Sequence, residues 1–201
     1  NKYSTIDRKT FNIAREKVNP FEYLGNSIFG NRAAVKLANI DAVYNFTQHL
    51  GGFLDFKTSG RFVFADLAGG PGSFTQYIQW RRPDAVGFGI TLKTAVGGEK
   101  EKLDWDYSII DQNRFYPYYG NDNTGNLYTN YQGFADFVRE QNSNDLFLVT
   151  ADGGFNIEET KDFNRQEFVS SRLILMECLT AILLLSTGGN FVCKVLIQSL
   201  K

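Results

Sequence analysis

Along the chain, apolar residues gather into short dense runs, separated by longer stretches in which they recur every three or four positions. From Asn31 to Leu50, Ala33, Leu37, Ile40 and Tyr44 stand four, three and four apart, which predicts a helix burying one face. Gly51-Gly52 is read as its end. Arg61 to Leu67 (R-F-V-F-A-D-L) reads as a strand, Ser73 to Arg82 as the helix after a glycine turn, and Ala85 to Leu92 as a second strand. A third strand falls within Tyr107 to Tyr119. Tyr131 to Asn142 reads as a helix, Asp145 to Ala151 as a strand, Asn164 to Ser186 as a long helix and Asn190 to Ile197 as a last strand. Residues 1–30 are polar and mixed, with a basic cluster at Arg8, Lys9, Arg15 and Lys17. Strands alternating with helices specify an α/β fold with a largely parallel sheet. The near-continuous apolar strands L-F-L-V-T-A and F-V-C-K-V-L-I fit a sheet covered on both faces. No linker interrupts this pattern, so residues 1–201 are expected to form one domain.

Composition narrows the class. At 201 residues, 43% hydrophobic and 21% charged, the chain can build a sizeable core. The formal net charge is −1, so no overall basic field points to nucleic acid, and any such contact must be a local groove. Cys178 and Cys193 lie in apolar runs and read as reduced core thiols. Two cysteines and the single His49 do not make a zinc ligand set, and no metal is expected. The most apolar stretch, Leu173 to Leu185, is broken by Glu177 and too short to span a bilayer. No signal peptide opens the chain. The expectation is a soluble intracellular protein: nuclear if cellular, at a cytoplasmic replication site or in the virion if viral. Because it starts at Asn1 without Met, the chain is read as part of a longer protein.

Chemistry first shows in the turn Asp66-Leu67-Ala68-Gly69-Gly70-Pro71-Gly72-Ser73-Phe74. Glycines there allow a tight turn and let a ligand approach the main chain. The turn lacks the Lys-Ser/Thr of a P-loop, and Pro71 does not fit the dinucleotide G-x-G-x-x-G pattern. An acid at a strand end followed by A-G-G-P-G instead resembles the nucleoside-binding loop of S-adenosylmethionine methyltransferases.

The likeness extends further. The run Phe64 to Lys93 closely resembles the cap-specific mRNA ribose 2′-O-methyltransferases, which are FtsJ-like enzymes. Three more blocks agree in order: Asn19-Pro20-Phe21-Glu22 leading to Asn31-Arg32-Ala33-Ala34-Val35-Lys36, then Ala151-Asp152-Gly153-Gly154-Phe155, and Gly188 to Lys194. The resemblance spans residues 15–196 and implies a Rossmann-like methyltransferase fold. It implies S-adenosylmethionine as cofactor, held by Asn31, Asp66, Ala68, Gly69, Gly70, Pro71, Gly72, Ser73, Phe74, Asn126 and Leu127. From the family's Lys-Asp-Lys-Glu set it places Lys36, Asp152 and Lys194; the Glu belongs to a later strand that this sequence does not contain. Gly125-Asn126-Leu127 stands where the family usually has Gly-Asp-hydrophobic beside the adenine, with Asp122 a weaker substitute. Capped RNA is the implied partner, contacted by Arg15, Lys17, Asp162 and Asn164, within a capping apparatus that can include further domains or subunits. Ribosomal or transfer RNA methylation, and a non-catalytic cofactor- or RNA-binding module, are the competing functions.

The residues carry part of this unaided. Lys194 in F-V-C-K-V-L-I is desolvated if its strand is interior and reaches solvent if it is an edge. Asp152 ends a strand at the side where open α/β sheets bind ligands, or else caps the turn Gly153-Gly154. Lys36 borders its helix's apolar stripe and can turn either way. A ribose hydroxyl is a weak nucleophile at neutral pH and needs a base or stabilisation of its developing charge. Burial and Lys36 would favour a neutral, basic Lys194, whereas Asp152 favours the ammonium.

Overall fold

The computed structural model describes residues 7–18, 27–48, 61–93, 104–142, 146–154 and 166–195. Its elements run α1 (Arg8–Val18), α2 (Arg32–Tyr44), β1 (Val63–Leu67), α3 (Ser73–Arg81), β2 (Val86–Ile90), β3 (Phe115–Tyr118), α4 (Leu127–Gln141), β4 (Leu146–Ala151), α5 (Gln166–Leu184) and β5 (Leu185–Cys193). The five strands are all parallel, in the order β3-β2-β1-β4-β5. The direction of winding therefore reverses between β1 and β4, and a ligand crevice opens outside their carboxyl ends.

Alternate residues of the central strands feed two apolar layers. On one side Phe64 and Leu148 pack with Ala34 and Leu37 of α2 and with Phe74, Tyr77 and Ile78 of α3. On the other Ala65, Leu67, Phe88 and Val149 pack with Phe134 and Val138 of α4 and with Leu173, Ala181 and Leu184 of α5. Three layers, with a central sheet buried on both faces, match the α/β expectation.

Several boundaries moved for local reasons. The polar N-terminal stretch contains a helix, α1, where Asp7 Oδ1 accepts from the amides of Lys9 (2.9 Å) and Thr10 (3.0 Å). Such a cap is a sequence signal that hydrophobic spacing alone does not weigh. Helix α2 stops at Tyr44, because Asn45 turns left-handed (φ 55°) and its amide closes onto Asp41 O. Gly51-Gly52 lies outside the described residues. The buried stripe of α2 is also rotated from the predicted one: Ala34, Leu37 and Asp41 are buried, while Tyr44 is exposed. Asp41 tolerates burial because Thr47 and Tyr77 donate to its carboxylate, the latter at 2.7 Å, with Arg81 3.9 Å away. Helix α4 begins four residues early, at the cap Asn126. Strand β5 covers 185–193 rather than 190–197, so Lys194 follows the strand instead of lying within it.

Candidate active site

The glycine turn leaves β1 with Ala68 at φ 48°, tied to β2 by Ala68 N donating to Ile90 O at 2.8 Å. Asp66, just before it, is fully buried; Thr75 Oγ1 and Thr150 Oγ1 each donate to its carboxylate at 2.8 Å. Burial pushes this carboxyl up to about 7 against those hydrogen bonds, and the charge of Asp152 adds to the rise. A Cβ on Gly69 would overlap the Asp66 carboxyl. Asp66 thus braces the turn from beneath. Phe74 is likewise a core residue between α2 and α3, leaving its backbone N–H in the open first turn of α3.

The rest of the turn is available to a ligand. Gly72 has φ 108°, and Ile110 Cδ1 occupies the space its Cβ would take. Gly70 N donates to Thr91 Oγ1 (3.2 Å), and Asp106 N donates to Pro71 O (3.0 Å), so the ends of β2 and the 104–110 segment grip the loop. Ser73 Oγ, buried at the start of α3, has no hydrogen-bond partner among the described residues. An orphaned hydroxyl at a helix start suits the polar end of an amino-acid-like ligand.

Opposite this turn, Gly125 (φ 65°) presses its backbone onto Thr91 O, leaving no space for a side chain. Asn126 Oδ1 accepts from Tyr128 N at 3.0 Å and caps α4, and Leu127 is buried in the core. Asp122 closes the same loop by accepting from Thr124 N (3.1 Å) and Asn130 Nδ2 (3.0 Å). Asn31 caps α2 through Ala33 N at 2.8 Å. Lys93, which sequence reasoning did not single out, packs on Tyr119, an aromatic that the sequence offers for stacking on bases. The Lys93 Nζ sits 4.8 Å over the Tyr119 ring and donates to Asn123 Oδ1 at 2.9 Å. Tyr119 Oη donates to Asp104 Oδ1 at 2.6 Å, and burial with that bond pushes the phenol well above its usual range.

The structure brings Asp152 and Lys194 together. They follow β4 and β5, where Ala151 lies opposite Cys193, and Lys194 N donates to Ala151 O at 2.9 Å. The ammonium end reaches back: Nζ lies 2.6 Å from Asp152 Oδ1 and donates to Asp152 O at 2.8 Å. Their side chains keep 36% and 24% exposure for Lys194 and Asp152, so the pair fronts the crevice half-buried. Lys194 thus follows β5 half-buried and paired with Asp152, matching neither the interior-strand nor the solvent-facing edge alternative in full. Lys36 stands on the exposed face of α2, with no hydrogen bond or ion pair to Asp152 or Lys194. Lys17 is exposed on α1, two positions from Arg15. Asp162 and Asn164 lie outside the described residues. Among the described residues no cluster of metal-ligating side chains occurs, and no helix is long and apolar enough to cross a membrane.

Behind the pair lies Glu177, fully buried on α5. Cys193 Sγ donates to its Oε2 at 3.4 Å, and burial pushes its carboxyl up to about 7. That thiol is itself pushed up to about 12 by burial and the neighbouring Glu177. Glu177 was visible in sequence only as the charge that interrupts the Leu173–Leu185 run.

A glycine turn opening the first sheet helix at the winding switch, with an acid–lysine pair on the next two strand ends, marks a Rossmann-like methyltransferase domain. The chain belongs to the FtsJ-like methyltransferase family, whose model matches residues 29–200. It is 37% identical over 205 aligned positions to mouse cap-specific mRNA (nucleoside-2′-O-)-methyltransferase 1, covering 96% of this chain and 24% of the mouse protein. The human protein of the same name is 35% identical with the same coverage. The Drosophila melanogaster one is 36% identical over 189 positions, covering 90% of this chain and 23% of that protein. The chain spans about a quarter of the length of these relatives.

Proposed function

We propose that this domain transfers a methyl group from S-adenosylmethionine to the ribose 2′-OH of the first transcribed nucleotide of capped mRNA. The observation that carries the reading is the Asp152–Lys194 pair at 2.6 Å, set on adjacent strand ends beside the glycine turn. The named relatives support the choice of capped mRNA. Residues at the turn fit the cofactor: Gly69, Gly70, Pro71 and Gly72 would present main chain to it, and Ser73 offers its unpartnered hydroxyl. Ala68, Asn126 and Leu127 line the nucleoside side through their backbone. When bound, the cofactor supplies an electrophilic sulfonium methyl.

This chain's residues supply the remainder. Asp152 Oδ1 and O take two N–H directions of Lys194, which fixes the amine and leaves its remaining direction to the crevice. There Lys194, as the free amine, accepts the 2′-OH proton as the oxygen attacks; held as ammonium by Asp152, it orients that oxygen instead. Lys36 adds positive charge from α2 near the developing oxyanion. Arg15, Lys17, Asp162 and Asn164 are proposed for the RNA side, and further domains of the longer protein for its other partners.

The test is single-turnover methyl transfer to short RNAs. Lys194→Arg keeps the charge but stays protonated at any working pH, so a general base predicts a loss of about 100- to 10,000-fold with cofactor affinity nearly intact. A substantial retained rate returns Lys194 to orientation alone, and a near-wild-type Lys194→Met removes it from the mechanism. Equal rates on capped and uncapped RNA would overturn the cap reading.

A further inference from the structure

Glu177 is the fully buried acid of α5, and nothing in the methyl-transfer scheme uses it. Its carboxyl lies between the two residues that adjoin the catalytic pair. On one side is Cys193, immediately before Lys194, with Sγ 3.4 Å from Oε2. On the other is Gly153, immediately after Asp152; a Cβ there would overlap Oε1, and it would also meet Leu173 Cδ2 at 2.8 Å and Ala68 Cβ at 3.1 Å. Among the described residues Oε1 makes no well-formed hydrogen bond, although the Gly153 amide lies near enough to favour the ionised carboxylate. A side chain at 153 would therefore have to displace the carboxyl behind it. A buried carboxyl costs more than a leucine in the same place, so its presence calls for a role.

We propose that Glu177 is a positioning residue for the Asp152–Lys194 pair, a wedge between Gly153 and Cys193 that fixes the spacing of the two strand ends and whose charge both catalytic groups feel. The inference rests on the assignment of that pair to catalysis. The ionisable groups around the wedge are Cys193 and Lys194 at the end of β5, Asp152 at the end of β4, Tyr128 on α4, and Arg172 and Cys178 on α5 itself; Asp66 on β1 couples through Asp152. Lys194 favours the ionised carboxylate and Asp152 opposes it, so the proton on Glu177 reports the state of the pair. Near pH 7 the wedge changes charge, while its shape stays the same.

The carboxyl carbon of Glu177, followed by NMR in the isotopically labelled protein without cofactor or RNA, reads this directly. The expected midpoint lies near 7. Lys194→Met should move it up, and Asp152→Asn should move it down, each by roughly half a unit or more. Both substitutions sit at half-exposed positions, so the fold should tolerate them. A midpoint that ignores both changes overturns the proposal. In methyl transfer, Glu177→Gln keeps the wedge and the acceptor for Cys193, so it should remove an inflection near pH 7 from the rate while leaving KM for RNA unchanged. Glu177→Asp, one methylene short, should lower kcat across the whole pH range; rates equal to the Gln variant would overturn the wedge. The carboxyl titration needs no methyl transfer. A responsive midpoint in a protein that fails to bind S-adenosylmethionine would support the wedge and sink the proposed function, whereas tight binding with an inert midpoint does the reverse.

Discussion

Gly72 shows how a single residue determines whether the crevice exists. Its φ of 108° is a conformation that residues with a Cβ rarely adopt, and Ile110 fills the space where that Cβ would go. Gly72→Ala should cost about 1–3 kcal/mol, combining backbone strain with overpacking, read as a lower urea midpoint at unchanged m. It should also weaken S-adenosylmethionine binding, because the turn cannot move without disturbing the Pro71–Asp106 bond. Full stability would mean that the turn relaxes freely. Asp66 is the contrasting residue: its identity looks ligand-directed in sequence, yet both its bonds run inward to Thr75 and Thr150.

The start of α4 carries two duties that one substitution pair can separate. Asn126 Oδ1 caps the helix through Tyr128 N, while the same residue borders the proposed adenine side. Asn126→Ala should cost about 1 kcal/mol of stability, the ordinary value of a lost N-cap. Asn126→Ser keeps the cap with a shorter reach, so thermal stability should stay within a few tenths of a kcal/mol of wild type. If the side chain also touches the adenine, the Ser variant should still lose calorimetric affinity for S-adenosylmethionine. Equal affinity would make Asn126 a cap alone. On helix α1, Lys17 is exposed. Replacing Arg15 and Lys17 together with Ala should weaken capped-RNA binding and flatten its salt dependence, and an unchanged slope would return both to the solvated surface.

For the whole molecule, the buried acids set an unusual pH profile. Asp66 rises from 3.8 to about 7 and Glu177 from 4.5 to about 7, both through burial. Each binds its proton more tightly folded than unfolded. Their stabilisation is therefore complete below about pH 4 and is lost as pH climbs through 7. Asp84 acts in the other direction: Arg82 holds it at about 2, so its half-exposed pair contributes above about pH 4 and fades as pH falls through 2. Urea unfolding should show a lower midpoint at pH 8 than at pH 5, a difference on the order of a few kcal/mol. Glu177→Gln should flatten that slope, and a midpoint that rises from pH 5 to 8 would contradict the assignment.

Sequence alone determined the alternation of strands and helices and the glycine turn. Period and turn chemistry are local properties, and each of these needs only neighbours along the chain to be legible. It located β1, β2 and β4 within a residue or two, because a strand buried on both faces is written as an unbroken apolar run. The ends of α2, α4 and β5 were less legible. Asn45, Asn126 and the register shift between Leu146 and Leu148 decide them, through single capping bonds and pairing that hydrophobicity does not encode. Only the tertiary structure decided direction and partnership. It turned Asp66 inward and buried Asp41 against Tyr77, although Tyr77 lies 36 residues away. It closed Lys194 onto Asp152 across 42 residues, and it set Glu177 behind both. A buried charge is stable only where distant groups receive it, and which distant groups meet is fixed when the sheet is wound.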